Sequence, residues 1–152
     1  MIMKLLPKTS AYALRAVLYI ASTGTENKFV PIKQISDDLN ISYQYLTKII
    51  QILSRHGLMT SYRGPTGGVA LAKPAGDISL IKIITALEGS DFFEGCILAL
   101  PNCGDEAPCP LHDFWGKIRD QIKNMFEKTS LKELGEKIRN DGLRLIDIED
   151  PN

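Results

Sequence analysis

Long apolar runs are missing from this chain of 152 residues, and so are most residues that build covalent frameworks. The apolar stretch Ala11–Ala21 is interrupted by Arg15 and falls far short of a membrane span of roughly 20 residues. The opening Met-Ile-Met-Lys-Leu-Leu-Pro-Lys holds too short an apolar run for a signal-peptide core. A cytoplasmic protein without membrane contact is expected. Cysteine is scarce, with three residues, and histidine scarcer, with two. An odd cysteine count in a reducing compartment excludes a disulfide framework and points to metal or redox chemistry. Signatures of catalysis are absent too: no phosphate loop after a strand, no paired-carboxylate motif, no oxyanion-hole pattern. A cysteine beside His112 could form a nucleophile–base pair, but nothing supplies the rest of such a site. No enzyme is expected.

Net charge is also lacking, at zero overall, yet the charges are divided. Residues 1–73 hold nine Lys and Arg against three acids, Glu26, Asp37 and Asp38, a surplus of six positive charges. Residues 74–152 hold nine bases and fifteen acids, a deficit of the same size. The front half is therefore suited to a polyanion, and the back half to some other task.

What is present reads as a mainly helical chain. A first helix over about Thr9–Ser22 carries Leu14, Val17, Leu18 and Ala21 on one face, with Thr9 as its N-cap. A loop over Thr23–Phe29 follows. Ile32, Ile35 and Leu39 then mark a short helix that Asn40 ends in a left-handed turn. Ser42 caps a second helix with the face Leu46, Ile49, Ile50 and Leu53, closed by Gly57, beside which His56 complements the helix dipole. Two short helices joined by a tight turn make a helix-turn-helix. Residues 58–62 and 69–72 alternate as strands around Arg63-Gly64-Pro65-Thr66-Gly67-Gly68, the hairpin of a wing.

Downstream, Ile78–Leu87 reads as a short helix. A loop rich in Gly and Pro spans residues 90–110 and contains all three cysteines. The longest helix runs from near Pro110 to Lys128, with Leu111, Phe114, Trp115, Ile118, Ile122, Met125 and Phe126 at 3–4 spacing. Ser130-Leu131-Lys132-Glu133 matches a capping box for a last helix, and residues 147–152 form an acidic tail. The expected organisation is a winged-helix domain over 1–89, a cysteine loop over 90–110, and a long helix with a C-terminal helix over 111–146.

Duplex DNA is the polyanion this arrangement fits. The start of the second helix of such a pair faces base edges in the major groove. Ser42, Tyr43, Gln44, Thr47 and Lys48 stand there, off the core face. Gln44 can pair with adenine, and Lys48 with guanine or phosphate. Arg63 on the hairpin suits a narrow minor groove, and Gly64, Gly67 and Gly68 let the backbone turn tightly and approach phosphates.

Tyr12-Ala13-Leu14-Arg15, the stretch Ile35 to Leu46, and Ser61-Tyr62-Arg63-Gly64-Pro65-Thr66-Gly67-Gly68-Val69-Ala70-Leu71 resemble the Rrf-two family of bacterial winged-helix regulators. The resemblance runs from about Lys8 to Leu134, and the SxRGxxGG wing is its most specific part. It implies a transcription repressor that forms a homodimer through the long helix and binds a pseudo-palindromic operator. The width of the apolar stripe on that helix agrees, being more than a small wing domain needs.

In Cys96-x6-Cys103-x5-Cys109, followed by His112, soft thiolates are spaced along a loop that can wrap an iron–sulfur cluster. Cluster-binding members carry three cysteines here with five-residue gaps, so the six-residue first gap is a departure. His112 stands where a histidine completes the site in some members. Others use an acid near the start of the first helix, where this chain has Ala11. The resemblance implies a cluster on Cys96, Cys103, Cys109 and His112, with [2Fe-2S] preferred over [4Fe-4S] and a tendency to loss in aerobic purification. Zinc, whose structural ligands usually pair two to four residues apart, and a metal-free thiol loop stay open beside it.

Overall fold

The computed structural model describes residues 3–24 and 28–147. In chain order the helices and strands are α1 (Lys8–Ser22), α2 (Ile32–Leu39), α3 (Tyr43–Arg55), β1 (Met59–Tyr62), β2 (Gly68–Leu71), α4 (Leu80–Glu88), α5 (His112–Lys128) and α6 (Leu131–Asp141). Short 3₁₀ turns at Ala75–Asp77 and Phe92–Glu94 fill two connections. Residues 25–27 of the loop after α1 and residues 148–152 of the tail lie outside the described residues.

One core forms where the predicted faces of α2 and α3 meet α1, which turns its side with Ala13, Ala16, Val17 and Ile20 fully inward. Of the expected α1 face only Val17 is fully buried, Leu14, Leu18 and Ala21 being half-buried at its edge. Ile35 and Leu39 of α2 and Leu46, Ile49, Ile50 and Leu53 of α3 are buried against Ala13, Ala16, Val17 and Ile20 of α1 and Ile83 and Ile84 of α4. Each buried Leu, Ile or Val among them contributes roughly 1.5–3 kcal/mol on leaving water. Asn40, at φ 52° and ψ 47°, makes the left-handed stop that the sequence predicts. The Ser42 hydroxyl accepts the Tyr45 N–H at 3.4 Å, and the Ser130 hydroxyl accepts the Glu133 N–H at 3.2 Å. Both caps stand as read.

The hairpin is antiparallel, in a register that pairs Met59 with Leu71 and Tyr62 with Gly68. Val30 joins its outer edge, each of Val30 and Val69 donating its N–H to the other's carbonyl at 2.8 Å. That approach requires glycine beside it. A Cβ at Gly68, whose φ is +154°, would lie 2.2 Å from the Val30 oxygen.

The starts of α1, α4 and α5 differ from expectation. Helix α1 begins at Lys8 behind Pro7, so Thr9 lies inside it and bonds the Tyr45 phenol instead of capping. Helix α4 begins at Leu80, because Ile78 and Ser79 are extended. Leu80 donates its N–H to Thr129 O, and Leu131 donates to Ile78 O, each at 2.9 Å. This backbone pairing ties α4 to the α5–α6 junction. Helix α5 begins at His112, two residues after Pro110. From there α6 folds back on α1 through Gly135, where a Cβ would lie 2.8 Å from the Ala21 backbone.

Candidate DNA interface and sulfur centre

The turn between α2 and α3 is closed on itself. The Ser36 hydroxyl donates to Ile41 O at 2.6 Å, and the Ile41 N–H donates to Ser36 O at 3.1 Å. With Ile41 and Leu46 buried, the polar start of α3 faces out. Ser42, Tyr43, Gln44 and Lys48 are exposed, and Thr47 is half-buried with its hydroxyl donating to Tyr43 O at 2.8 Å. A helix of this width fits a major groove about 12 Å wide.

Between the start of α2, the outer face of α3 and the wing lies a groove of about 790 Å³. It brings Tyr43 and Thr47 together with Arg63, Gly64, Gly67 and Gly68. Ser42, Gln44 and Lys48 do not line it. Arg63 is exposed and makes no hydrogen bond or ion pair among the described residues, so its guanidinium is free for an outside anion. Gly67 has an internal duty as well, since a Cβ there would lie 2.2 Å from Tyr62 O. The groove adds Lys33, Gln51, Arg55 and Ser61, which sequence reasoning missed. The signal was present for two of them: Thr47, Gln51 and Arg55 follow each other at four-residue spacing on one helix face.

The second constellation is organised by one face of α5. His112, Trp115, Arg119 and Lys123 recur at 3–4 spacing, and each one grips the cysteine loop or its approach. The Trp115 indole N–H donates to Gly95 O at 2.9 Å. Arg119 donates through Nη1 to Glu94 O at 3.1 Å, and the same nitrogen lies 3.9 Å from Cys103 Sγ. Lys123 Nζ reaches Glu94 Oε1 at 2.6 Å, an ion pair that lowers the Glu94 carboxyl and raises the Lys123 amine. His112 Nδ1 lies 3.7 Å from Cys103 Sγ, and its Nε2 lies 2.9 Å from Asp105 Oδ1.

All three cysteines gather here. Cys96 Sγ is 3.5 Å from Cys109 Sγ, and Cys103 is near enough to act on Cys96. Backbone amides of Leu100 and Leu98 hold the Cys96 thiol below its ordinary range, favouring thiolate, while burial and the neighbouring sulfur push Cys109 up. Left-handed backbone at Ala99 and Asn102, both at φ 58°, folds the loop back between its cysteines.

The groups stand as two facing pairs, 96 with 109 and 103 with 112. Among the described residues no three His, Cys, Asp or Glu side chains are placed to hold a single ion. Three thiols, an imidazole, amides directed at sulfur and a guanidinium near it match the donor set and hydrogen bonding of a cluster. Asp105, Glu94 and Arg119 were missed in the sequence. Arg119 was findable, seven residues from His112 on one helix face.

The apolar stripe of α5 also splits in two. Trp115 and Phe126 turn inward, Phe126 packing on Phe93 with ring centroids 5.3 Å apart. Leu111, Phe114, Ile118 and Met125 face out, with Phe114 74% exposed. Among the described residues no helix is long and apolar enough to cross a membrane.

Residues 6–137 match the family model of Rrf2 (the Rrf-two family), described as iron-dependent transcriptional regulator. The HTH-type transcriptional regulator IscR of Photorhabdus laumondii subsp. laumondii is 33% identical over 123 residues, which is 81% of this chain and 74% of that protein. Among solved structures, CymR (YrzC), the global cysteine regulator of B. subtilis, superposes with a TM-score of 0.73 at 26% identity, covering 88% of this chain and 97% of that one. IscR of T. potens superposes with a TM-score of 0.72 at 22% identity, covering 91% of each chain, a likeness of fold. The winged helix-turn-helix of mainly helical class read from the sequence is the fold these structures share. Thiol, imidazole and carboxylate at Cys103, His112 and Asp105 thus sit in a regulator and not in an enzyme. With a helix-turn-helix, a wing and a family match over most of its length, the chain belongs to the Rrf2 family of DNA-binding transcriptional regulators.

Proposed function

We propose that the protein is a cytoplasmic, homodimeric repressor whose operator affinity is set by an iron–sulfur cluster in the cysteine loop. The carrying observation is the two-sided character of α5. One face grips the cysteine loop through His112, Trp115, Arg119 and Lys123. The adjoining face leaves Leu111, Phe114, Ile118 and Met125 for a second copy. A change at the sulfur centre therefore acts on the helix that sets the distance between two wing domains. Each wing domain would place the start of α3, with Ser42, Tyr43, Gln44, Thr47 and Lys48, in the major groove. Arg63 would enter the flanking minor groove, with the backbone of Gly64, Gly67 and Gly68 against phosphates. Two such heads related by a two-fold axis read a pseudo-palindromic site.

Cys96, Cys103 and Cys109 would hold the cluster, with His112 as the fourth ligand. When bound, the cluster supplies a group whose state changes with oxidants, nitric oxide or iron supply. The Leu98 and Leu100 amides favour thiolate at Cys96, and Arg119 offsets negative charge at Cys103. Anaerobic purification with an absorption spectrum and iron and sulfide analysis tests this reading. Visible charge-transfer bands with matching iron and sulfide support it, with loss of both in Cys103→Ser. A second, cluster-free reading rests on the 3.5 Å between Cys96 and Cys109, which suits a thiol-based signal. Anaerobic protein free of iron and sulfide would favour that one.

A further inference from the structure

We infer that Asp105 is a positioning residue for the sulfur centre: its carboxylate holds His112 with Nδ1 turned toward the cysteines. This rests on the cluster reading above and names the device that presents the fourth ligand. An imidazole has two nitrogens, and in the neutral ring one is a donor and the other an acceptor. The Nε2 of His112 lies 2.9 Å from Asp105 Oδ1, and a carboxylate can only accept, so Nε2 carries the proton. Nδ1 is then the nitrogen with a free lone pair, and it is the one 3.7 Å from Cys103 Sγ. The His112 side chain is only 15% exposed, so the packed ring has little freedom to turn over.

The backbone supports the same orientation. The His112 N–H donates to Cys109 O at 3.0 Å, which fixes His112 as the first residue of α5, three residues after the third cysteine. Asp105 lies two residues beyond Cys103 in the loop and meets the other ring nitrogen. One loop thus delivers both a thiol and the carboxylate that orients the imidazole. Asp105 is itself fully exposed, so its pair with His112 adds little to folding stability. Its effect is on ring orientation. Histidine ligands commonly give their second N–H to a carboxylate in this way, and losing that partner typically weakens metal retention about 10- to 100-fold.

The test uses full-length protein, reconstituted anaerobically with iron and sulfide, as wild type, Asp105→Ala and Asp105→Asn. With only two histidines in the chain, labelling with ¹⁵N at Nδ1 or at Nε2 gives spectra that His56 alone can complicate. The expected result is hyperfine coupling to Nδ1 in wild type. Loss of visible absorption under excess chelator should be about 10- to 100-fold faster in Asp105→Ala. Asp105→Asn, whose amide oxygen still accepts from Nε2, should fall between and keep Nδ1 coupling. Melting temperatures should be unchanged, separating this from a folding defect. Coupling to Nε2, or an Asp105→Ala variant that matches wild type in retention and coupling, overturns the inference. If wild type takes up no cluster, the cluster reading fails. The imidazole tautomer by nitrogen-15 NMR of the metal-free protein then decides separately: Nε2–H in wild type and a tautomer mixture in Asp105→Ala is expected, and identical spectra overturn it.

Discussion

Helices α3 and α5 carry the two surfaces of the proposed function, and they are built in opposite ways. Helix α3 has 13 residues and buries four of them, Leu46, Ile49, Ile50 and Leu53, so its polar face is free because its apolar face is satisfied. Helix α5 has 17 residues and fully buries only Phe126. Polar side chains reaching the cysteine loop hold much of the rest in place, and its large apolar residues point outward. A helix that packs itself can present a fixed surface. A helix held by a loop can move when that loop changes. On the proposed function, recognition sits on the rigid element and sensing on the adjustable one.

Substitutions can break that contrast at either end. The largest effect on folding belongs to Leu53→Ala, a fully buried position, expected to cost about 2–5 kcal/mol in chemical denaturation. Phe114→Ala, on the outer face of α5, should leave unfolding of the monomer within about 0.5 kcal/mol. Comparable losses at the two sites would mean α5 packs like α3.

Next in size is Ile118→Asp, which places a charge in the exposed stripe of α5. Sedimentation should show monomers, and operator affinity should fall about 100-fold, roughly 2.7 kcal/mol, as two-head binding is lost. A variant that remains dimeric would send the dimer seam elsewhere. Arg63→Ala should weaken operator binding about tenfold and relax preference for A/T-rich flanks, read by footprinting and competition. The smallest effect is Ser42→Ala, which removes the hydroxyl that accepts the Tyr45 N–H and should cost about 1 kcal/mol of stability.

The front half was largely legible because its signals are local. Asn40, Ser42 and Gly57 act through neighbouring backbone, and the core faces of α2 and α3 follow helical period, whereas small residues carry the buried side of α1 and its larger Leu14 and Leu18 lie at the edge. What stayed hidden depends on residues far apart in sequence. The start of α4 is set by pairing of residues 78–80 with 129–131, which no window around Ile78 contains. The α5 stripe looked continuous, since spacing alone cannot tell that Trp115 and Phe126 meet Gly95 and Phe93 while Phe114 stays exposed. At the sulfur centre the sequence shows the thiols and the imidazole that gather, Cys96, Cys103, Cys109 and His112. The supporting shell was not, because Asp105 and Arg119 are ordinary surface residues until the loop folds over α5.

Operator affinity of the same preparation with its cluster and after the cluster is removed, at one fixed salt concentration, tests most directly whether the sulfur centre governs DNA binding through α5. A difference of at least about tenfold, 1.4 kcal/mol, with both forms still dimeric, is the predicted result. Equal affinities in the two states would contradict it.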